Sequence, residues 1–134
     1  MQTLPLSTTP IRWAAAILAL LVLALAPLRA ADATVSVDVQ CSPSTVVLHA
    51  VAAGDCLTVH TDLRFSSVDR TVPVELNGLA AYSVFPDNRG NLVAKFNLTA
   101  LRGLLTLPAT TLTLTGVTTD GQVFSGSDVV RVQK

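Results

Sequence analysis

The sequence predicts an all-β protein: two sheets packed as a sandwich of about seven strands, with one short helical corner, behind an N-terminal export signal. Two observations carry the fold. Beyond residue 33 nearly every segment alternates apolar and polar side chains at period two, in short runs rich in Val, Thr and Leu. Branched side chains lose little χ1 freedom on a pleated surface, and alternation gives each strand one face to bury. Gly, Asn, Asp and Pro punctuate these runs at intervals of about ten residues, which suits a sandwich better than a barrel or an α/β fold.

The export signal rests on a third observation. Arg12 and Trp13 precede an apolar stretch, residues 14–26, closed by Pro27 and Arg29 and followed by the small-residue step Ala31-Asp32-Ala33. Those 13 residues fall short of the roughly 20 that a membrane-spanning helix needs. The pattern predicts a cleaved signal peptide over 1–33, a β-sandwich domain over 34–134, no membrane span after cleavage, and a secreted or periplasmic product.

The strand candidates are residues 34–39, 45–51, 57–63, 72–76, 92–96, 111–116 and 129–132, with a weaker one at 82–85. Within 57–63, Leu57, Val59, Thr61 and Leu63 share the inward face, while Thr58, His60 and Asp62 point to water. Leu92, Ala94 and Phe96 share the core face of another strand, and Leu112 and Leu114 that of a third. The turns expected are Ala53-Gly54-Asp55, closing a hairpin between 45–51 and 57–63, then Asn77-Gly78, residues 88–91, Asp120-Gly121 and Ser125-Gly126-Ser127. Residues 99–105 read as a helical corner with Thr99 as its cap; Gly103 and Pro108 limit it to two turns.

After cleavage seven basic side chains face eight acidic ones, a net charge of −1, and the basic residues are scattered. Counterion release has no source in such a chain, so no nucleic-acid partner is expected. About 100 residues suffice for one core.

Cys41 and Cys56 are the only cysteines. A plain hairpin turning at 53–55 holds them roughly 30 Å apart and forbids a disulfide, whereas a bend at Pro43 folding the first segment over the turn restores it. Both arrangements stay open at this level. His49 and His60 would meet across the same hairpin, yet a metal site needs a third ligand, and only Asp62 and Cys56 are near. No Gly-x-Ser-x-Gly elbow or ordered pair of carboxylates is present, so the chain reads as a non-enzyme without a cofactor. The Asp87-Asn88-Arg89-Gly90-Asn91 stretch carries one carboxylate and reads as a turn rather than a calcium loop. Asn97-Leu98-Thr99 fits the N-glycosylation pattern. Phe96 and Phe124 are assigned to the core. Tyr82 and Phe85, which follow the Asn77-Gly78 turn, are the candidate exposed anchors, with plugging of the sandwich end as their alternative role.

The order Ser44-Thr45-Val46-Val47-Leu48, Thr71-Val72-Pro73-Val74-Glu75-Leu76-Asn77-Gly78, Gly90-Asn91-Leu92-Val93-Ala94-Lys95-Phe96 and Gly126-Ser127-Asp128-Val129-Val130-Arg131-Val132 resembles a small immunoglobulin-like module. Such modules recur in secreted and cell-surface prokaryotic proteins. In related modules the loop before the Leu-Val-x-Lys-Phe strand is rich in aspartates; here it holds one. The resemblance implies an immunoglobulin-like sandwich with a binding or structural accessory role, toward an unidentified protein or a cell-surface glycan, and carries over no catalytic residue. The alternative function is a small secreted inhibitor or ligand carrier acting through an exposed loop, 64–70 or 80–91.

Overall fold

The computed structural model describes Thr34–Lys134, and the predicted signal, 1–33, lies outside the described residues. The described chain is all-β, with ten strands: β1 (Val35–Ser36), β2 (Val39–Ser42), β3 (Thr45–Val47), β4 (Cys56–Arg64), β5 (Glu75–Leu76), β6 (Leu79–Ala80), β7 (Ser83–Pro86), β8 (Asn91–Asn97), β9 (Ala109–Val117) and β10 (Val123–Gln133). They form two sheets. The first runs β1-β10-β9-β5-β6 with β3 also on β10, and the second runs β2-β4-β8-β7.

One apolar core lies between the sheets. Leu57, Val59, Leu92, Ala94 and Phe96 enter it from the second sheet; Leu76, Leu112, Leu114, Phe124 and Val130 enter from the first. The alternation expected along β4, β8 and β9 is the alternation found. Thr61 continues the core face of β4 after Leu57 and Val59, at the point where the β4–β8 ladder slips between His60 and Arg64. Its hydroxyl donates to the Leu92 carbonyl at 2.8 Å and accepts from the Leu63 N–H at 3.2 Å, satisfying groups the bulge leaves unpaired.

The strand count exceeds seven because one expected strand changes sheets midway, the weaker candidate at 82–85 forms as β7, and β6 adds a short strand after the Asn77-Gly78 turn. The predicted strand 34–39 divides: β1 pairs in parallel with β10, and β2 pairs antiparallel with β4 in the other sheet. After Pro43 the chain returns, and β3 again pairs in parallel with β10. Ser36 lies opposite Ser125 and Thr45 opposite Arg131, so nine residues of the N-terminal segment span six of β10. The surplus is the excursion onto β4.

The hairpin expected at Ala53-Gly54-Asp55 is therefore absent. β3 ends at Val47, a 3-10 turn follows over Leu48–Ala50, and Ala53-Gly54-Asp55 carries the chain from one sheet to the other. Asp55 fixes that turn by accepting from the Ala52 N–H at 2.8 Å. Ser125-Gly126-Ser127 is no turn either: it lies inside β10, opposite Thr115, Leu114 and Thr113. Gly126 is there for close approach, since a Cβ would overlap the Val37 carbonyl oxygen. The helical corner forms as α1 (Leu98–Leu101) and a 3-10 turn over Arg102–Leu104. Its cap is Asn97 rather than Thr99; the Asn97 side chain accepts from the Thr99 N–H at 2.9 Å.

Candidate binding surface

The outer face of the second sheet carries most of the side chains with something to offer a ligand. Register places Phe85 opposite Val93, Val93 opposite His60, and His60 opposite Gln40, one row across four strands. Val93 is only 1% exposed although it is not part of the core between the sheets. An apolar side chain thus lies on the outer face with almost none of its surface open to water.

Tyr82 and Phe85 sit on the edge of this sheet. Tyr82 immediately precedes β7, its N–H donating to the Lys95 carbonyl at 3.0 Å, and its side chain is 60% exposed. Its phenol lies by the Cys56 thiol, and that neighbour, more than burial, raises its pKa above the usual tyrosine value. Phe85 is half-buried, and the Lys95 ammonium lies 5.6 Å from its ring centroid. Neither ring is part of the sandwich core: Val84 between them turns inward to pack on it.

The two cysteines are free thiols, so the disulfide that the sequence left open is not made. Cys41 faces Val59 across the β2–β4 ladder, whereas Cys56 lies three residues further along β4, a rise of roughly 10 Å. Pro43 does bend the chain, but toward the other sheet instead of back over the turn. Burial, and then the nearby Asp128 carboxylate, push the Cys41 thiol up to about 12.

His49 and His60 do not meet. The His49 Nδ1 lies 2.8 Å from the Lys134 carbonyl, while His60 stands on β4 between Gln40 and Val93. The expected cross-hairpin pair disappears with the hairpin. Among the described residues no three His, Cys, Asp or Glu side chains come together to hold a metal ion.

Three turns, 64–70, 87–91 and 118–121, gather at the end of the sandwich where β4 finishes. Residues 87–91 close the β7–β8 hairpin, with Asp87 Oδ1 accepting from the N–H groups of Arg89 and Asn91 at 2.8 and 2.9 Å. The 64–70 loop is pinned by Phe65 N–H to Gly90 O and Thr119 N–H to Ser67 O, both 2.9 Å. Arg70 stacks over Phe65 at 5.2 Å. Beside the 87–91 turn, a polar groove of about 830 Å³ opens across β2 and β4. Sequence reasoning missed this groove. Its side chains come from four separated segments, and no spacing in the chain links them.

No family model matches the chain, and no curated protein or solved structure is significantly similar to it.

Proposed function

We propose that residues 34–134 are an exported immunoglobulin-like β-sandwich that acts without catalysis, binding a protein or a cell-surface glycan outside the cytoplasm. Two sheets over a single core support the immunoglobulin-like reading. The observation that carries the binding role is Tyr82, an aromatic side chain 60% exposed at a sheet edge beside half-buried Phe85. Large aromatics left in water at an edge are the usual anchors of an interface. The near-neutral charge argues against nucleic acid.

The test has two parts. N-terminal sequencing of the product from the native host should begin within about three residues of Thr34. Immobilised protein should then capture a partner from the native secretome or a glycan array, and Tyr82→Ala should lose it while melting normally. Equal capture by the variant would remove Tyr82 from the interface.

One observation favours a second reading, an inhibitor acting through a presented loop. The 64–70 loop is held at both of its flanks by backbone hydrogen bonds and by the Arg70–Phe65 stack, as a loop that must enter another protein's site is held in advance. Loss of capture on Arg70→Ala but not on Tyr82→Ala would select it.

A further inference from the structure

The groove beside the 87–91 turn supports a ligand class. Its floor is β2 and β4, with Gln40 and His60 opposite each other and Asp62 next on the same face as His60. Its wall is the turn carrying Asn88, Arg89 and Asn91. The backbone N–H groups of Arg89 and Asn91 are taken by Asp87. Among the described residues, the side chains of Gln40, His60, Asn88, Arg89 and Asn91 make no hydrogen bond to the protein. Amide, imidazole and guanidinium groups spaced over such a concavity supply the mixture of donors and acceptors that a polyhydroxylated ligand requires. Its volume of about 830 Å³ lies within the ordinary range of small-ligand sites.

Charge narrows the class. Asp38, Asp62, Asp87 and Asp128 line the groove against Arg89 as the one permanent cation. Asp128 is occupied, accepting from Cys41 and Val129, and Asp87 is committed to its own turn. Asp62 uses Oδ1 for the Asp38 N–H at 2.9 Å. The carboxylate of Asp38 and the second oxygen of Asp62 are left for a ligand. Acidic saccharides are repelled by this arrangement, and amines are drawn to it. We infer that the groove binds an oligosaccharide bearing free amino groups, its amines on Asp38 and Asp62 and its hydroxyls on Gln40, His60 and Asn88. This builds on the binding role proposed above, but at residues distinct from Tyr82.

The probe is a tetrasaccharide of β-1,4-linked glucosamine, titrated into the ¹⁵N-labelled purified protein, with the glucose tetrasaccharide as control. The expected result is saturable shifts at Gln40, His60, Asp62 and 88–91, and binding at least about tenfold tighter than for the control. Asp62→Asn retains an oxygen for the Asp38 N–H and should weaken binding about tenfold, as should raising NaCl from about 50 to about 500 mM. No saturable shift by about 5 mM, shifts centred elsewhere, or equal affinity for the control would overturn the inference. Capture through Tyr82 that persists without sugar binding sinks this inference alone; loss of both removes the binding role as well.

Discussion

Asp128 Oδ2 accepts a hydrogen bond from the Cys41 N–H at 2.8 Å, joining β10 of one sheet to β2 of the other. At this point the N-terminal segment has left β10, and the carboxylate supplies the acceptor that a neighbouring strand would have offered. Asp128→Ala leaves a part-buried N–H unpaired and should cost about 1 to 3 kcal/mol. Asp128→Asn, which keeps an acceptor oxygen, should recover part of that loss. Urea midpoints measure both, and an unchanged midpoint for Asp128→Ala would show that water replaces the carboxylate.

The core and the surface aromatics should respond oppositely. Phe96 is fully buried, and Phe96→Ala should cost about 3 to 5 kcal/mol, much of the stability of a domain this size. Tyr82→Ala should stay within about 0.5 kcal/mol of the parent. Comparable destabilisation by the two would place Tyr82 in a packing role.

Gly116 lies under the Phe124 ring, which occupies the space a Cβ would need. Gly116→Ala should destabilise by about 1 to 3 kcal/mol through overpacking. Thermal melting of Gly116→Ala beside Gly103→Ala, where nothing lies within 4 Å of the new methyl, separates steric cost from the general effect of replacing glycine.

The thiols should differ in reactivity. At about pH 8 the native protein should yield one fast thiol to a disulfide reagent, Cys56, and release Cys41 only on unfolding, because burial and Asp128 keep Cys41 protonated. Two fast thiols would mean that β2 opens readily; none, in protein from an oxidising host, would mean that the cysteines have been consumed by oxidation.

Acid should weaken the turns. The Thr71 hydroxyl and N–H hold the Asp69 carboxyl below its ordinary value, and the Asn91 and Arg89 N–H groups, with the Arg89 charge, do the same for Asp87. Depressed folded values mean that the ionised form is favoured by folding. That stability is complete above the unfolded carboxylate value and is lost as pH falls through the folded one. The melting temperature should therefore decline below about pH 4, and the decline should be shallower in Asp69→Asn.

What the sequence revealed and what it hid divide along a physical line. Side-chain alternation reports which face is buried, so the inward sets Leu57-Val59-Thr61 and Leu92-Ala94-Phe96 were readable in advance. Alternation says nothing about which sheet a strand joins, and on that the expected hairpin at 53–55 failed. Ser125-Gly126-Ser127 misled for a related reason: glycine serves in β10 because Val37 passes close by, a cause located nearly ninety residues away. Tyr82 was legible as a candidate anchor beside the alternative that it plugs the end of the sandwich, and only its place just before an edge strand, 60% exposed, separates the two. The groove was not, since Gln40, His60, Asp62 and Asn88 become neighbours only through strand pairing.

The parallel seams along β10 also set the order in which the structure is able to close. Both β1 and β3, near the start of the domain, take β10 as their parallel partner, close to ninety residues further along the chain. Loops this long must be closed before their contacts contribute, a feature that slows folding. A chain emerging N-terminus first holds β1 and β3 unpaired until residues 123–133 arrive, so β10 is the strand that completes the first sheet.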